Sequence, residues 1–183
     1  MMIREKIEPF KYAKELNEQL KNGGLLLVSG KMGDDKLALR PNAMTIGWGF
    51  LGTMWGRAVW IVAVRHSRHT FNLMEEADFW TVCALPKSMK GVLDFCGTKS
   101  GRDVDKFKEM KLTVMKGLST DAPYIDESCI HYECKTIFKT DMKPGQLDAI
   151  IEKEMYKTKD WHMIYMGEVK GVYIGKNLES GFF

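Results

Sequence analysis

Two segments of this chain concentrate groups that bind anions. The first is Arg65-His66-Ser67-Arg68-His69-Thr70, placed where a β-branched run gives way to a helical pattern. Guanidinium forks, hydroxyls and imidazoles meet there beside the free N–H groups and positive end of a helix, which makes a phosphate seat. A solvated basic turn capped by Ser67 or Thr70 explains the same residues equally well. The second segment runs from Cys96 through Gly97, Thr98, Lys99, Ser100, Gly101 and Arg102 to Phe107. Small residues let backbone amides approach an anion, and Lys99, Arg102 and Lys106 can neutralise it. A plain capped loop is the alternative. Two such turns in one small chain point to one phosphorylated ligand held from two sides.

A third segment, Pro41-Asn42-Ala43-Met44-Thr45-Ile46-Gly47-Trp48, alternates small and polar residues with Met44 and Trp48. A flat heteroaromatic ring needs such a wall, with polar groups at its edge and apolar groups over its face. A core strand with a bulge at Gly47 is the plainer account.

Other motifs are weaker. Gly47-Trp48-Gly49-Phe50-Leu51-Gly52 spells G-x-G-x-x-G, but Val59-Trp60-Ile61-Val62 follows soon after and no helix opens, so dinucleotide binding of the Rossmann kind is not expected. No phosphate-loop sequence and no G-x-S-x-G elbow is present. Cys129, His131 and Cys134 have metal-ligand chemistry, yet strand alternation puts Cys134 on the opposite face from the other two, and no metal is expected. His162 suits a general acid or a ring contact, and a buried, satisfied histidine equally.

The elements that must position these groups are mostly strands. A helix is expected over Pro9–Lys21, closed by Asn22-Gly23-Gly24, and a turn at Gly33-Asp34-Asp35. Strands are expected over Leu25–Ser29, Leu37–Arg40, Ala43–Phe50, Ala58–Arg65, Asp78–Leu85, Ser128–Thr140 and Trp161–Ile174. Short helices fit Ser67–Ala77, Ser88–Phe95, Val104–Met110 and Leu147–Tyr156. Strands and helices do not alternate regularly, which disfavours a doubly wound parallel sheet and favours an antiparallel barrel with helical decoration.

Bulk properties narrow the function. The chain of 183 residues is one domain, with residues 1–23 as a helical extension, and its 45% hydrophobic and 28% charged composition is that of a globular protein. Lys+Arg 27 against Asp+Glu 24 gives +3, too balanced to imply a nucleic-acid partner. The uncharged stretch from Pro41 to Gly56 is too short and too glycine-rich to span a membrane. Cys83, Cys96, Cys129 and Cys134 show no disulfide framework, so a soluble cytoplasmic protein is the expectation.

In order, Asn42–Trp48, Arg65–Thr70, Ser100-Gly101-Arg102-Asp103-Val104-Asp105-Lys106-Phe107 and His162-Met163-Ile164-Tyr165-Met166-Gly167-Glu168-Val169 resemble the flavin reductase-like family, most closely its flavoredoxin-type FMN-binding branch. The likeness covers about residues 24 to 175. It implies a split β-barrel with Greek-key character and a homodimer with FMN near the interface. By position, Asn42, Ala43, Met44 and Thr45 would line the isoalloxazine edge, with Trp48 packed nearby. Arg65, Ser67, Arg68 and Thr70 would seat the phosphate, and Ser100, Gly101, Arg102 and Lys106 would complete the phosphate and ribityl grip. His162 would sit close to the flavin as the catalytic candidate. The chain departs from the family's pattern where His69 replaces a frequent tyrosine and where Arg57-Ala58 lacks a common proline. Trp161 also replaces the Asp that usually precedes the closing histidine, with Asp160 one step earlier.

The resulting expectation is an FMN-binding oxidoreductase, either an NAD(P)H:flavin reductase or a flavoredoxin-type electron-transfer protein. One alternative is an FMN-holding carrier that takes electrons from a redox protein partner and has no nicotinamide nucleotide site of its own. The other is a structural or regulatory homodimer without flavin.

Overall fold

In the computed structural model, residues 2–33 and 39–175 are described. The expected turn residues Asp34 and Asp35, and Leu37 and Ala38 of one expected strand, lie outside them, whereas Leu39 and Arg40 form a turn and bend.

Ten strands and five α-helices follow one another along the described chain. They are β1 (Arg4–Lys6), α1 (Ala13–Asn22), β2 (Leu25–Ser29), β3 (Asn42–Ile46), β4 (Gly49–Met54), β5 (Arg57–Arg65), α2 (His69–Glu76) and β6 (Phe79–Ala84). Then come α3 (Lys90–Thr98), α4 (Lys106–Glu109), β7 (Val114–Lys116), β8 (Pro123–Ile125), β9 (Ile130–Asp141), α5 (Ala149–Met155) and β10 (His162–Gly175). Eight strands form one antiparallel sheet in the order β3-β2-β6-β9-β10-β5-β4, with β1 added to β10, and β7 pairs with β8 separately. The non-consecutive neighbours β2–β6 and β5–β10 give the Greek-key crossovers of a split β-barrel.

Side-chain alternation divides the core in two. In β2 every residue is buried, because Leu25 and Leu27 enter one cluster while Leu26 and Val28 enter the other. The first cluster fills the barrel with Trp60, Val62, Trp80, Tyr132 and Tyr165, closed by Leu16 and Leu20 of α1. The second lies between the sheet and α3, where Val92, Leu93 and Cys96 meet Cys83, Tyr124 and Ile125. Packing is tight where the Trp80 side chain of β6 reaches past β9 to β10. A Cβ on Gly167 would lie 2.3 Å from the Trp80 ring, so only glycine fits there.

The expected strand over Ala43–Phe50 is two strands. β3 pairs with β2 and β4 pairs with β5, so the chain turns at Gly47-Trp48 to change partners. The glycine pattern there serves that turn: a Cβ on Gly49 would stand 2.3 Å from the Ile61 carbonyl oxygen of the neighbouring strand. The four cysteines are buried and unpaired. His131, fully buried, stacks on Tyr124 with ring centroids 3.9 Å apart. Among the described residues, no group of three His, Cys, Asp or Glu side chains is placed to hold a metal ion. Also among them, no helix is long and apolar enough to cross a membrane.

Candidate functional site

The two basic turns meet. Between β3, the first turn of α2 and the segment from the end of α3 to α4 lies a cavity of about 120 Å³. Of the expected site residues, Asn42, Met44, Thr45, Ser67, Arg68, Thr70, Ser100, Gly101, Arg102 and Lys106 line it. His69, Cys96, Gly97 and Lys99 complete the wall.

Local folding explains this convergence. α2 begins after Arg68 with no side-chain cap, so its opening turn presents Arg68, His69 and Thr70 to the cavity. The Asn42 amide donates to Thr70 Oγ1 at 2.9 Å and ties β3 to that turn. Asp103 and Val104 N–H groups both donate to the Ser100 carbonyl, folding the second turn tightly. Arg102 Nη1 then donates to the Ser67 carbonyl at 2.9 Å, joining the two turns. Gly101 sits where they touch: a Cβ there would lie 2.2 Å from Asn42 Oδ1 and 2.9 Å from the His69 ring.

The electrostatics are one-sided. Arg68, Lys99, Arg102 and Lys106 line the cavity, and among the described residues no carboxylate does. His69 is held below the usual histidine range by burial, and then by Arg102, Lys106 and Arg40. It therefore adds no charge near neutral pH. The arrangement suits an anion, with cationic forks, hydroxyls and an uncapped helix start around a space of phosphate size.

The remaining expected residues lie elsewhere. Ala43 packs into the second core cluster and reaches the site only through its carbonyl, which accepts from Lys106 Nζ at 2.8 Å. Trp48, Arg65 and His162 form a separate aromatic group with Tyr156 and Trp161. The His162 ring centroid is 4.7 Å from that of Trp48, and Tyr156 stacks on Trp161 at 4.4 Å. The Arg65 guanidinium lies over the Trp48 and Tyr156 rings and donates to the carbonyls of Asp160 and Met155. Arg65 is thus spent on the β9–β10 connection rather than on the cavity. The Ser67 hydroxyl similarly donates to the Asp160 carboxylate at 2.6 Å.

Asp160, read in the sequence only as a displaced partner for His162, therefore holds the first anion turn. The phenol of Tyr156 contacts His162 instead, with its oxygen 2.8 Å from Nδ1. No local pattern marked Tyr156 for this role, because it closes a helix whose own residues are not buried.

Burial, with Arg65 next in importance, pushes the His162 imidazole down to about 4. In the unfolded chain it titrates near 6.5, so the unfolded state binds the extra proton between these values. Stability is complete above pH 6.5 and falls as pH drops toward about 4, by up to about 3 kcal/mol from this group. Urea unfolding from pH 7 to pH 4 should show a shallower loss for His162→Gln than for the natural protein. Parallel losses would show that His162 is not buried in its neutral form.

A family model described as "Flavin reductase like domain" matches residues 23–182. An uncharacterised protein of Archaeoglobus fulgidus is 25% identical over 142 residues, covering 78% of this chain and 70% of that protein. Among solved structures, flavoredoxin of Desulfovibrio vulgaris superposes with a TM-score of 0.65 at 21% identity, over 87% of this chain and 74% of that one. An FMN-binding domain of a flavin reductases-like enzyme from Shewanella baltica gives 0.66 at 13% identity, over 100% of this chain and 82% of that one.

Proposed function

The chain belongs to the flavin reductase-like domain family, and on that footing we propose that it is an FMN-binding oxidoreductase. The observation that carries this reading is the cavity's wall of four cations, with no carboxylate among the described residues, next to the polar and apolar residues of β3. Arg68, Lys99, Ser100 and Arg102 hold the phosphate, and Met44 and Thr45 face the ring. Bound FMN supplies the redox chemistry, accepting a hydride or single electrons. The protein's part is to bind and orient it. His162 is neutral at pH 7 and so acts as a ring contact beside Trp48 rather than as a proton donor.

A volume of about 120 Å³ holds a phosphate and its nearest atoms, whereas nucleotide sites run to several hundred Å³. The ring therefore extends beyond the cavity, where a second protomer can cover it. The surface offers a place for that protomer. Phe50, Met54, Trp55 and Phe138 are exposed along the β4 edge and the outer half of β9. Trp55 is 62% exposed at a hairpin tip with φ of 52°, a left-handed conformation that a bulky residue adopts rarely. A tryptophan held out in that way is suited to contact. Light scattering should give the mass of a dimer, and Trp55→Glu should shift it toward monomer at micromolar concentration. A natural protein that is monomeric at every concentration tested would overturn the homodimer.

Anaerobic mixing with NADH or NADPH and FMN separates the two forms of the function. Bleaching of the flavin band at a catalytic rate identifies a reductase. Bleaching only by a reduced redox protein identifies a carrier.

A further inference from the structure

Ser67 lines the cavity, yet its donors are turned to a group of the chain itself. Its hydroxyl donates to Asp160 Oδ2 at 2.6 Å and its backbone N–H to Asp160 Oδ1 at 3.3 Å. Arg65 Nη1 donates to the Asp160 carbonyl and stands 4.0 Å from the same carboxylate. A hydroxyl, a backbone N–H and a guanidinium around one carboxylate are the donor set that an anionic ligand takes. The Asp160 carboxylate therefore fills part of an anion's place on the first basic turn. Asp160 is not among the residues that line the cavity, so its charge stands one hydrogen bond behind the wall and opposes the entry of a second anion.

Two observations separate this contact from a mere support of the turn. The turn is held without it, because the Arg68 N–H donates to the Arg65 carbonyl, Arg102 to the Ser67 carbonyl and Asn42 to Thr70. Asp160 also sits on a lightly packed connection. No residue of α5 is buried, and Ile150, Ile151 and Met155 stand exposed on it. Segments with few buried apolar contacts move at low cost. We propose that Asp160 is an internal competitor for the flavin's phosphate. In the flavin-free chain its carboxylate holds the Ser67 donors, and the arriving phosphate displaces it and takes them. This rests on the FMN reading above. The apparent affinity is then lowered by the fraction of chains in which the contact is closed. Displacement also loosens the connection that carries Tyr156 and Trp161, so that filling the cavity is felt at the aromatic group.

Asparagine at this position keeps the shape and removes the charge that competes with phosphate. The experiment titrates FMN and riboflavin into the natural protein, Asp160→Asn, Ser67→Ala and the double variant. Asp160→Asn should bind FMN about tenfold more tightly than the natural protein, the worth of one charged hydrogen bond no longer to be broken. Riboflavin, which has no phosphate to compete, should bind both alike. In the Ser67→Ala background the gain should shrink to about threefold or less, because the contested hydroxyl is gone. A loss of FMN affinity in Asp160→Asn, or none of the expected gain, would overturn the inference and leave Asp160 a support of the turn. A full gain that persists without the Ser67 hydroxyl would also overturn it, since plain charge repulsion would then account for the effect. Equal gains for FMN and riboflavin would do the same. If Asp160→Asn does not fold, Asp160→Ser is held to the same outcomes. Failure of both the natural protein and the variant to bind FMN would instead sink the functional reading, and the inference with it.

Discussion

Gly101→Val is expected to reduce FMN affinity at least a hundredfold while leaving the barrel folded. The first added atom alone would stand 2.2 Å from Asn42 Oδ1, and that amide is not free to retreat because its nitrogen donates to Thr70 Oγ1. Two further methyl groups must enter a cavity of about 120 Å³ or push the Ser100 turn outward. Overpacking of this kind lowers stability by about 1–3 kcal/mol with or without the ligand. Filling the anion's space removes charged hydrogen bonds of about 1.5–3 kcal/mol each, and about 3 kcal/mol is about a hundredfold in affinity. The barrel core lies on other residues, among them Trp60, Trp80 and Tyr165, so far-ultraviolet circular dichroism should remain that of a folded barrel, while the urea midpoint falls by the overpacking cost. Undiminished FMN binding by this variant would place the cofactor outside the cavity.

Arg102→Ala carries the second large effect. Its guanidinium bridges to the Ser67 carbonyl and lines the cavity beside Arg68 and Lys99. Removing a charged hydrogen-bond donor costs about 1.5–3 kcal/mol, which is roughly ten- to a hundredfold in FMN affinity. Riboflavin, which lacks the phosphate, should bind the variant and the natural protein within about threefold of each other. A parallel fall for both ligands would show that Arg102 acts through the fold of the two turns. Arg65→Ala should weaken FMN less than Arg102→Ala, because Arg65 is bonded to the Asp160 and Met155 carbonyls and lines the aromatic group instead.

How far the sequence revealed this arrangement depended on the range of the interactions involved. β2, β5, β6, β9 and β10 announce themselves by runs of apolar and β-branched residues, and each falls within a few residues of its expected bounds. β1, β7 and β8 are three residues each, too short to show a period, and exist because a partner strand receives them. The break between β3 and β4 depends on which strands they pair with, information held by residues far along the chain. Ser67–Thr70 and Ser100–Arg102 line one cavity, and each turn was conspicuous in sequence because its cations, hydroxyls and small residues are local. Arg65 shows the limit of such reading. Its guanidinium faces carbonyls 90 and 95 residues away, and no neighbour in sequence signals that. Lys106 shows the same limit. In sequence it is one more cation in a basic loop, and only the fold reveals it buried between two carbonyls.

The central claim is that this chain binds FMN in the cavity between β3 and the two basic turns. An equilibrium titration of FMN fluorescence against the purified protein tests it most directly, with Gly101→Val run alongside. The account predicts quenching that saturates at one FMN per chain with micromolar or tighter affinity, and loss of that saturation in the variant. No quenching at protein concentrations far above micromolar, or identical curves for both proteins, would contradict it.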